Sequence, residues 1–456
     1  MAGAPHSVSL SFTGIYKEGM QGGYPASASS FAVNLAGGAV FLASLSALQH
    51  VWPSDLVLLS AGGIVAALVT LLAGEIFFLK SHRRERVGLR FHALRQWPAL
   101  ATKIFSLNVT LAIVLACYAF IPEYHKSYYG EFHRLIPFAF PAAFAIGNLY
   151  LYFFDHRLGS PEDGLLHFGY LLTGRWKKAE RAKVGEYFKS VLLRAYFVPA
   201  MYIYFIASLE TYIGGAGAYL ADNAAQFPDV PGMRIVTALM TAYFFLMTID
   251  ALFAVIGYLM TFKAIDADVR STEATAAGWI SCILCYTPFF EILLALWLLR
   301  DFYHNPQWFE WFAGHDMLLI VWGALAALAM CAEAFTTMTF GIRFSNLTYR
   351  GLMSTGLFRY TKHPQYVSKM LNRFLVFVPF LSLAGFAGAA WTMLLFAALC
   401  LLYYVRARTE ENHLSIHEDY VRYADLMNER SVFAPLARLL PFLRYSREKA
   451  LCGRLF

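Results

Sequence analysis

The chain has 456 residues, of which 58% are hydrophobic and only 15% charged, with a formal net charge of +7. A soluble globule this apolar lacks the polar groups to cover its own surface, since about a quarter of residues are charged in ordinary soluble domains. The composition excludes a soluble enzyme, a disordered chain and a disulfide scaffold, and predicts an all-α, polytopic membrane protein.

A helix crosses the hydrocarbon with about 20 mostly apolar residues. In chain order the predicted spans are Phe31–Leu48, Leu56–Leu79, Ile104–Ile121, Leu135–Phe154, Ala195–Gly214 and Ile235–Phe262. They continue with Ala277–Leu299, Met317–Phe340, Phe374–Gly385 and Ala387–Val405, ten in all. The ninth is short and runs into the tenth through small residues, as a tight helical hairpin. With the N-terminus placed in the cytoplasm, all but four of the 37 Lys and Arg fall on the cytoplasmic side; the exceptions are Lys126, Arg134, Arg234 and Arg300. That asymmetry obeys the positive-inside rule and predicts that both termini are cytoplasmic. It also disperses the basic residues among loops, so the net charge implies no nucleic-acid partner. The first residues lack a charged segment followed by an apolar core, and no cleavable signal peptide is expected.

Between the spans, Gly164–Ser190 mixes apolar and basic residues at near-helical spacing and suits either an interfacial helix or a basic loop. Glu75, Glu210, Asp250, Glu291 and Glu333 fall in or near predicted spans, where a charge is costly and marks either a functional path or a paired structural site. They share no motif. Cys282 and Cys285 form a lone CxxC inside an apolar run with no second pair, which reads as helix packing rather than metal or redox chemistry.

The informative stretch is 356–422. Arg359-Tyr360-Thr361-Lys362-His363-Pro364-Gln365-Tyr366 leads into the apolar hairpin, and Arg406-Ala407-Arg408-Thr409-Glu410-Glu411-Asn412-His413-Leu414 leaves it. An antiparallel hairpin brings its two ends together. His363 and Tyr366 are therefore expected beside Glu410 and Glu411. Paired carboxylates accept hydrogen bonds from ribose hydroxyls or an ammonium group. Arg359, Lys362 and His363 bind a carboxylate, and Tyr360 and Tyr366 present aromatic faces to a cation. S-adenosyl-L-methionine carries an amine, a carboxylate, a ribose and a sulfonium, and would use every one of these groups. In the competing reading Pro364 merely starts a helix and the Glu pair is solvated.

HPxY before a hairpin and a paired Glu after it resemble the integral-membrane methyltransferases, the group holding isoprenylcysteine carboxyl methyltransferases and phospholipid N-methyltransferases. His363, Pro364 and Tyr366 match the first element, Glu410 and Glu411 the second, and Glu418–Tyr423 the Tyr-rich tail that follows. Lys362 stands where an Arg is usual, which keeps charge but loses the bidentate fork. Ser368 stands where a Gly is common. The resemblance covers the last quarter of the chain, so residues 341–456 are expected to form a catalytic region behind an N-terminal membrane region of about eight helices, 1–340.

The resemblance implies methyl transfer from S-adenosyl-L-methionine to a lipophilic acceptor drawn from the membrane: a prenylcysteine carboxylate, a lipid amine or an isoprenoid. It implies no metal. Arg359, Tyr360, His363, Pro364, Tyr366, Glu410 and Glu411 are the expected cofactor-binding residues. Arg406, one helical turn before Glu410, would orient a carboxylate acceptor. For an amine acceptor, Glu411 or His413 would take the proton. A membrane sterol reductase using NADPH is the nearest rival, from which the Glu pair distinguishes this chain. A secondary transporter built on the intramembrane acids is a more distant one.

Overall fold

The computed structural model describes residues 20–21, 23–52, 55–90, 94–159, 162–215, 233–295 and 300–452. Its strands are four two-residue segments: β1 (Met20–Gln21) pairs with β2 (Tyr24–Pro25), and β3 (Ser271–Thr272) with β4 (Thr348–Tyr349). The rest is helix, turn and loop. The first seven helices are α1 (Phe31–Gln49), α2 (Leu56–Ala73), α3 (Trp97–Phe120), α4 (Gly130–Phe154), α5 (Gly164–Leu172), α6 (Arg181–Gly214) and α7 (Met233–Leu259). Then come α8 (Ala276–Ile283), α9 (Phe289–Ala295), α10 (Arg300–Tyr303), α11 (Trp308–Trp311), α12 (Asp316–Phe340) and α13 (Pro364–Phe377). The series closes with α14 (Gly385–Leu414), α15 (Glu418–Arg430), α16 (Ala434–Leu439) and α17 (Arg447–Cys452).

Among the described residues eight helices are long and apolar enough to cross a membrane: α1, α2 with its extension to Phe78, α3, α4, α6, α7, α12 and α14. The chain is therefore an all-α, multi-pass membrane protein. The count of ten is corrected at two places. The predicted span 277–299 breaks after α8, where Cys285 and Tyr286 donate to the carbonyls three residues back. Pro288 brings no N–H to continue a helical ladder. Residues 296–299 lie outside the described residues. The predicted span 374–385 is replaced by α13, which starts at Pro364 and stops at Phe377, where Val378 adopts φ +44°. Hydropathy penalises α13 for Lys369 and Arg373, yet Lys369 Nζ lies 3.1 Å from Glu333 Oε1 on α12.

Local chemistry sets the helix starts. Asp55 accepts from Val57 and Leu58 N–H at the head of α2, and Thr275 from Gly278 N–H at the head of α8. Such side chains satisfy amides that the first helical turn leaves unpaired. Pro364 at the first position of α13 needs no partner for a missing N–H.

α7 is the most buried of the eight spans, packed between α6 and α12. Phe197 and Phe205 of α6 and Leu252, Phe253 and Ile256 of α7 are fully enclosed. Between lipid-embedded helices such contact gains by close packing rather than by escape from water. Gly257 is one place where a side chain is excluded, because a Cβ there would lie 2.3 Å from Phe344 O.

One end of the bundle gathers the polar contacts. Asn34, at the start of α1, donates to Met338 O at 2.7 Å near the end of α12. The π-turn 74–78 after α2 presents Glu75 to Arg343, with Arg343 Nη2 2.9 Å from Glu75 Oε2 and both side chains buried. Arg350 donates to the carbonyls of Gly257, Ala267 and Phe344. The C-terminal tail folds over this end: Tyr420, Tyr423 and Met427 of α15 pack with Ala28, Leu352 and Phe358.

Candidate functional site

His363 and Tyr366 open α13, while Glu410 and Glu411 stand in the last turn of α14. The two helices run antiparallel, so four residues from distant parts of the chain converge. Tyr366 donates its hydroxyl to Glu410 Oε2 at 2.6 Å, and His363 Nε2 lies 3.1 Å from Glu411 Oε1. His363 Nδ1 is 3.9 Å from Glu410 Oε2. The imidazole stacks on the phenol ring, centroids 5.5 Å apart and planes 8° from parallel. Pro364 fixes the entry into α13 and thereby the direction of both rings.

The two acids differ in environment. Glu411 is buried, and its Oε1 also takes Lys362 Nζ at 2.7 Å while Oε2 takes Arg408 Nη1. Both its oxygens are thus occupied within the protein. Glu410 is partly exposed, and its Oε1 has no partner among the described residues. Burial, opposed by Arg406 and assisted by Glu410, holds the Tyr366 phenol well above its ordinary pKa, so it stays a donor.

Arg406 lies one turn before Glu410, itself buried. Three aromatic rings surround its guanidinium, with centroids at 5.0 Å (Tyr366), 5.4 Å (Tyr286) and 5.9 Å (Tyr403). Its Nη2 donates to Asn346 Oδ1 at 2.7 Å. Among the described residues no carboxylate pairs with it. A buried cation held only by neutral oxygens and π faces retains attraction for an anion.

These residues line a cleft that is partly open to solvent. Phe340, Phe344 and Leu352 give it an apolar wall, and Lys362, His363, Tyr366, Arg406, Glu410 and Tyr420 a polar one. The Tyr420 hydroxyl is buried without a hydrogen-bond partner. Burial, with Glu411 and Glu410 adding to it, raises its pKa well above the ordinary value. His413 also reaches the cleft, but its Nε2 is 2.9 Å from Ser271 Oγ on β3.

Compared with protein-family models, curated proteins and solved structures, the chain matches none.

Two of the expected cofactor residues stand elsewhere. Arg359 stacks over Tyr24, which donates to its carbonyl at 3.2 Å, and Tyr360 is exposed with its carbonyl taken by Val432 N and Ser431 Oγ. Both hold the N-terminal strands and the tail in place, because the 3-10 turn Gly356–Arg359 aims them away from the cleft. Conversely, Asn346 and Tyr286 around Arg406 carry no sequence signal, since they come from two separate segments, whereas Tyr403, one turn before Arg406 on α14, is open to the same spacing argument as Glu410. Of the intramembrane acids, Glu75 and Glu333 are ion-paired, and Asp250 accepts from Thr337, which in turn accepts from Gln365 at 3.0 Å. Glu210 and Glu291 are exposed. Cys282 and Cys285 are free thiols.

Proposed function

We propose that the protein is an S-adenosyl-L-methionine-dependent membrane methyltransferase acting on the carboxylate of a lipophilic acceptor. The observation that carries this reading is the convergence of His363 and Tyr366 with Glu410 and Glu411 at a cleft that the unpaired cation Arg406 also lines. In support, the polar wall fits the cofactor: Glu410 Oε1 is free to accept ribose hydroxyls, Lys362, paired with Glu411, adds a cation to the wall, and the Tyr420 hydroxyl awaits an acceptor. When bound, the cofactor supplies an electrophilic methyl carbon.

The chain's own residues then have distinct tasks. Arg406 holds the acceptor's anion and fixes its direction, which is the main demand of an in-line displacement. A carboxylate carries no proton to lose, so the site needs no general base. That suits Glu411, whose oxygens are occupied and which positions Lys362 and His363 instead. An amine acceptor would have to approach against the Arg406 charge. The apolar wall of Phe340, Phe344 and Leu352 excludes water from the reacting carboxylate and receives an aliphatic or isoprenoid tail. In this reading residues 341–456 are the catalytic region, the preceding helices form its membrane scaffold, and the cleft faces the cytoplasm.

Calorimetry on detergent-purified protein tests the proposal. S-adenosyl-L-methionine or its demethylated product should release heat on binding while NADPH stays silent; the reverse pattern overturns it in favour of a reductase. Mass spectrometry of lipid extracts, with and without active protein, should then show an acceptor heavier by one methyl in place of hydrogen.

A further inference from the structure

The same end of the bundle carries a second pocket, away from the cleft, where α3 begins and α4 ends. Leu94, Arg95, Gln96, Ala99, Asp155 and His156 line it. We infer that this pocket binds the phosphate of an anionic phospholipid headgroup.

Three observations lead there. The first is a set of unused polar nitrogens. Arg95 Nε and His156 Nδ1 in the lining, and Arg157 Nε beside it in the chain, are shielded from solvent with no hydrogen-bond partner. Arg95 is held over the rings of Tyr152 at 4.0 Å and Trp97 at 4.9 Å, and its Nη2 donates to Tyr152 O at 3.0 Å. That contact orients the guanidinium without neutralising it.

The second observation is charge. Asp155 and the nearby Asp163 are both committed to the buried Lys103, whose Nζ lies 2.6 Å from Asp155 Oδ1 and 2.9 Å from Asp163 Oδ2. Among the described residues neither Arg95 nor Arg157 has an acidic partner. The lining itself is balanced, Arg95 against Asp155, and the small positive excess of the neighbourhood comes from Arg157, next to His156 in the chain, since Arg95, Arg157 and Lys103 outnumber Asp155 and Asp163 by one. A phosphate ester offers the anionic oxygens that guanidinium groups bind well.

The third observation selects a lipid over a free anion. The pocket sits at the ends of two membrane-crossing helices, ringed by exposed apolar and aromatic side chains: Leu94 (91% exposed), Trp97 (61%), Phe153 and Phe154. Tryptophan and tyrosine concentrate at the headgroup level of a bilayer. Exposed apolar groups beside this pocket suit acyl chains hanging from a bound phosphate, and basic residues at that level attract anionic lipids. This end also carries the cleft, as the bonds from Ala264 N to Tyr150 OH and from Gly159 N to Val87 O tie the α4 terminus to the loops there.

The test is lipid binding to the full chain. Protein reconstituted with equal amounts of phosphatidylglycerol and phosphatidylcholine, then examined by native mass spectrometry, should retain phosphatidylglycerol in preference. Arg95→Ala and Arg157→Gln should each lower that preference by about fivefold, the worth of one interfacial cation, with helical content by circular dichroism unchanged. Should Arg95→Ala fail to fold, Arg95→Gln removes the charge while leaving a stem over Tyr152, and should give the same loss. Equal retention of the two lipids by the native chain overturns the inference, as does undiminished preference in the folded variants. Inorganic phosphate binding at millimolar concentration, together with no lipid preference, would make the pocket a free-anion site and overturn it as well.

Discussion

Tyr366 donates a hydrogen bond to Glu410 across 2.6 Å although 44 residues separate the two. The bond ties the first turn of α13 to the last turn of α14 and holds Glu410 Oε2, leaving Oε1 directed to the cleft. Hydrogen bonds to charged groups contribute about 1.5–3 kcal/mol. Tyr366→Phe should therefore weaken S-adenosyl-L-methionine binding about tenfold or more in calorimetry. Glu410→Ala, which removes the acceptor itself, should abolish detectable heat. Unchanged affinity in both variants would detach the cofactor from this cleft.

Arg406 and Glu410 share a helix face, yet they answer to different ligands in the proposed reaction. Arg406→Lys keeps the charge but loses the planar fork and its stacking on Tyr366. Cofactor affinity should stay within about twofold, while KM for the lipophilic acceptor rises about tenfold, the loss of one good charge-assisted bond. Steady-state kinetics with varied acceptor separates the two effects. An equal loss of cofactor binding would place Arg406 on the cofactor instead.

The sequence revealed eight of the spans, because each is a long apolar run whose period and length suffice. It also revealed the meeting of His363 with Glu411, since any antiparallel pair brings these ends together. It misplaced α13, because Lys369 and Arg373 look intolerable in lipid until Glu333 is known to lie opposite. It also missed the break at 284–288, where one proline outweighs a continuous apolar pattern. Only part of the cage around Arg406 could be read, namely Tyr366 at the facing helix end and Tyr403 one turn away on α14. Tyr286 and Asn346 contribute one side chain each from segments with no common motif, and only tertiary packing brings them to Arg406.

The Glu75–Arg343 pair joins α2 to the segment after α12, with both side chains buried and Ser81 donating to the same carboxylate. Removing one partner of a buried pair leaves an uncompensated charge and costs about 3–5 kcal/mol. Glu75→Ala should therefore lower the thermal unfolding midpoint of the detergent-solubilised protein by several degrees, as read by circular dichroism. The double change Glu75→Leu with Arg343→Met should recover much of that loss, because neither charge remains. No recovery in the double variant would assign the effect to the π-turn backbone rather than the ion pair.

Asp266 is another ionic centre at this end, and its titration gives a pH dependence of definite sign. Burial alone would raise its carboxyl, but Arg270, Arg84 and Arg343 outweigh that and hold it below the ordinary aspartate value. Arg84 Nη1 lies 2.9 Å and Arg86 Nη1 2.8 Å from its oxygens. A carboxyl depressed in the folded state adds stability that is complete above its unfolded pKa, about 4, and is lost as pH falls through the folded one. The native protein should hold its unfolding midpoint from pH 7 to about 5 and lose stability progressively below about 4. Asp266→Asn isolates the charge, since Asp266 sits at φ +51° and asparagine adopts that left-handed backbone as readily. At pH 7 the variant should be less stable by about 3 kcal/mol, because Arg84, Arg86 and Arg270 lose their shared anion. Its midpoint should also fall less steeply with acid than the native one. A variant whose acid sensitivity matches the native chain would move the titrating group elsewhere, to the exposed carboxylates of the loops.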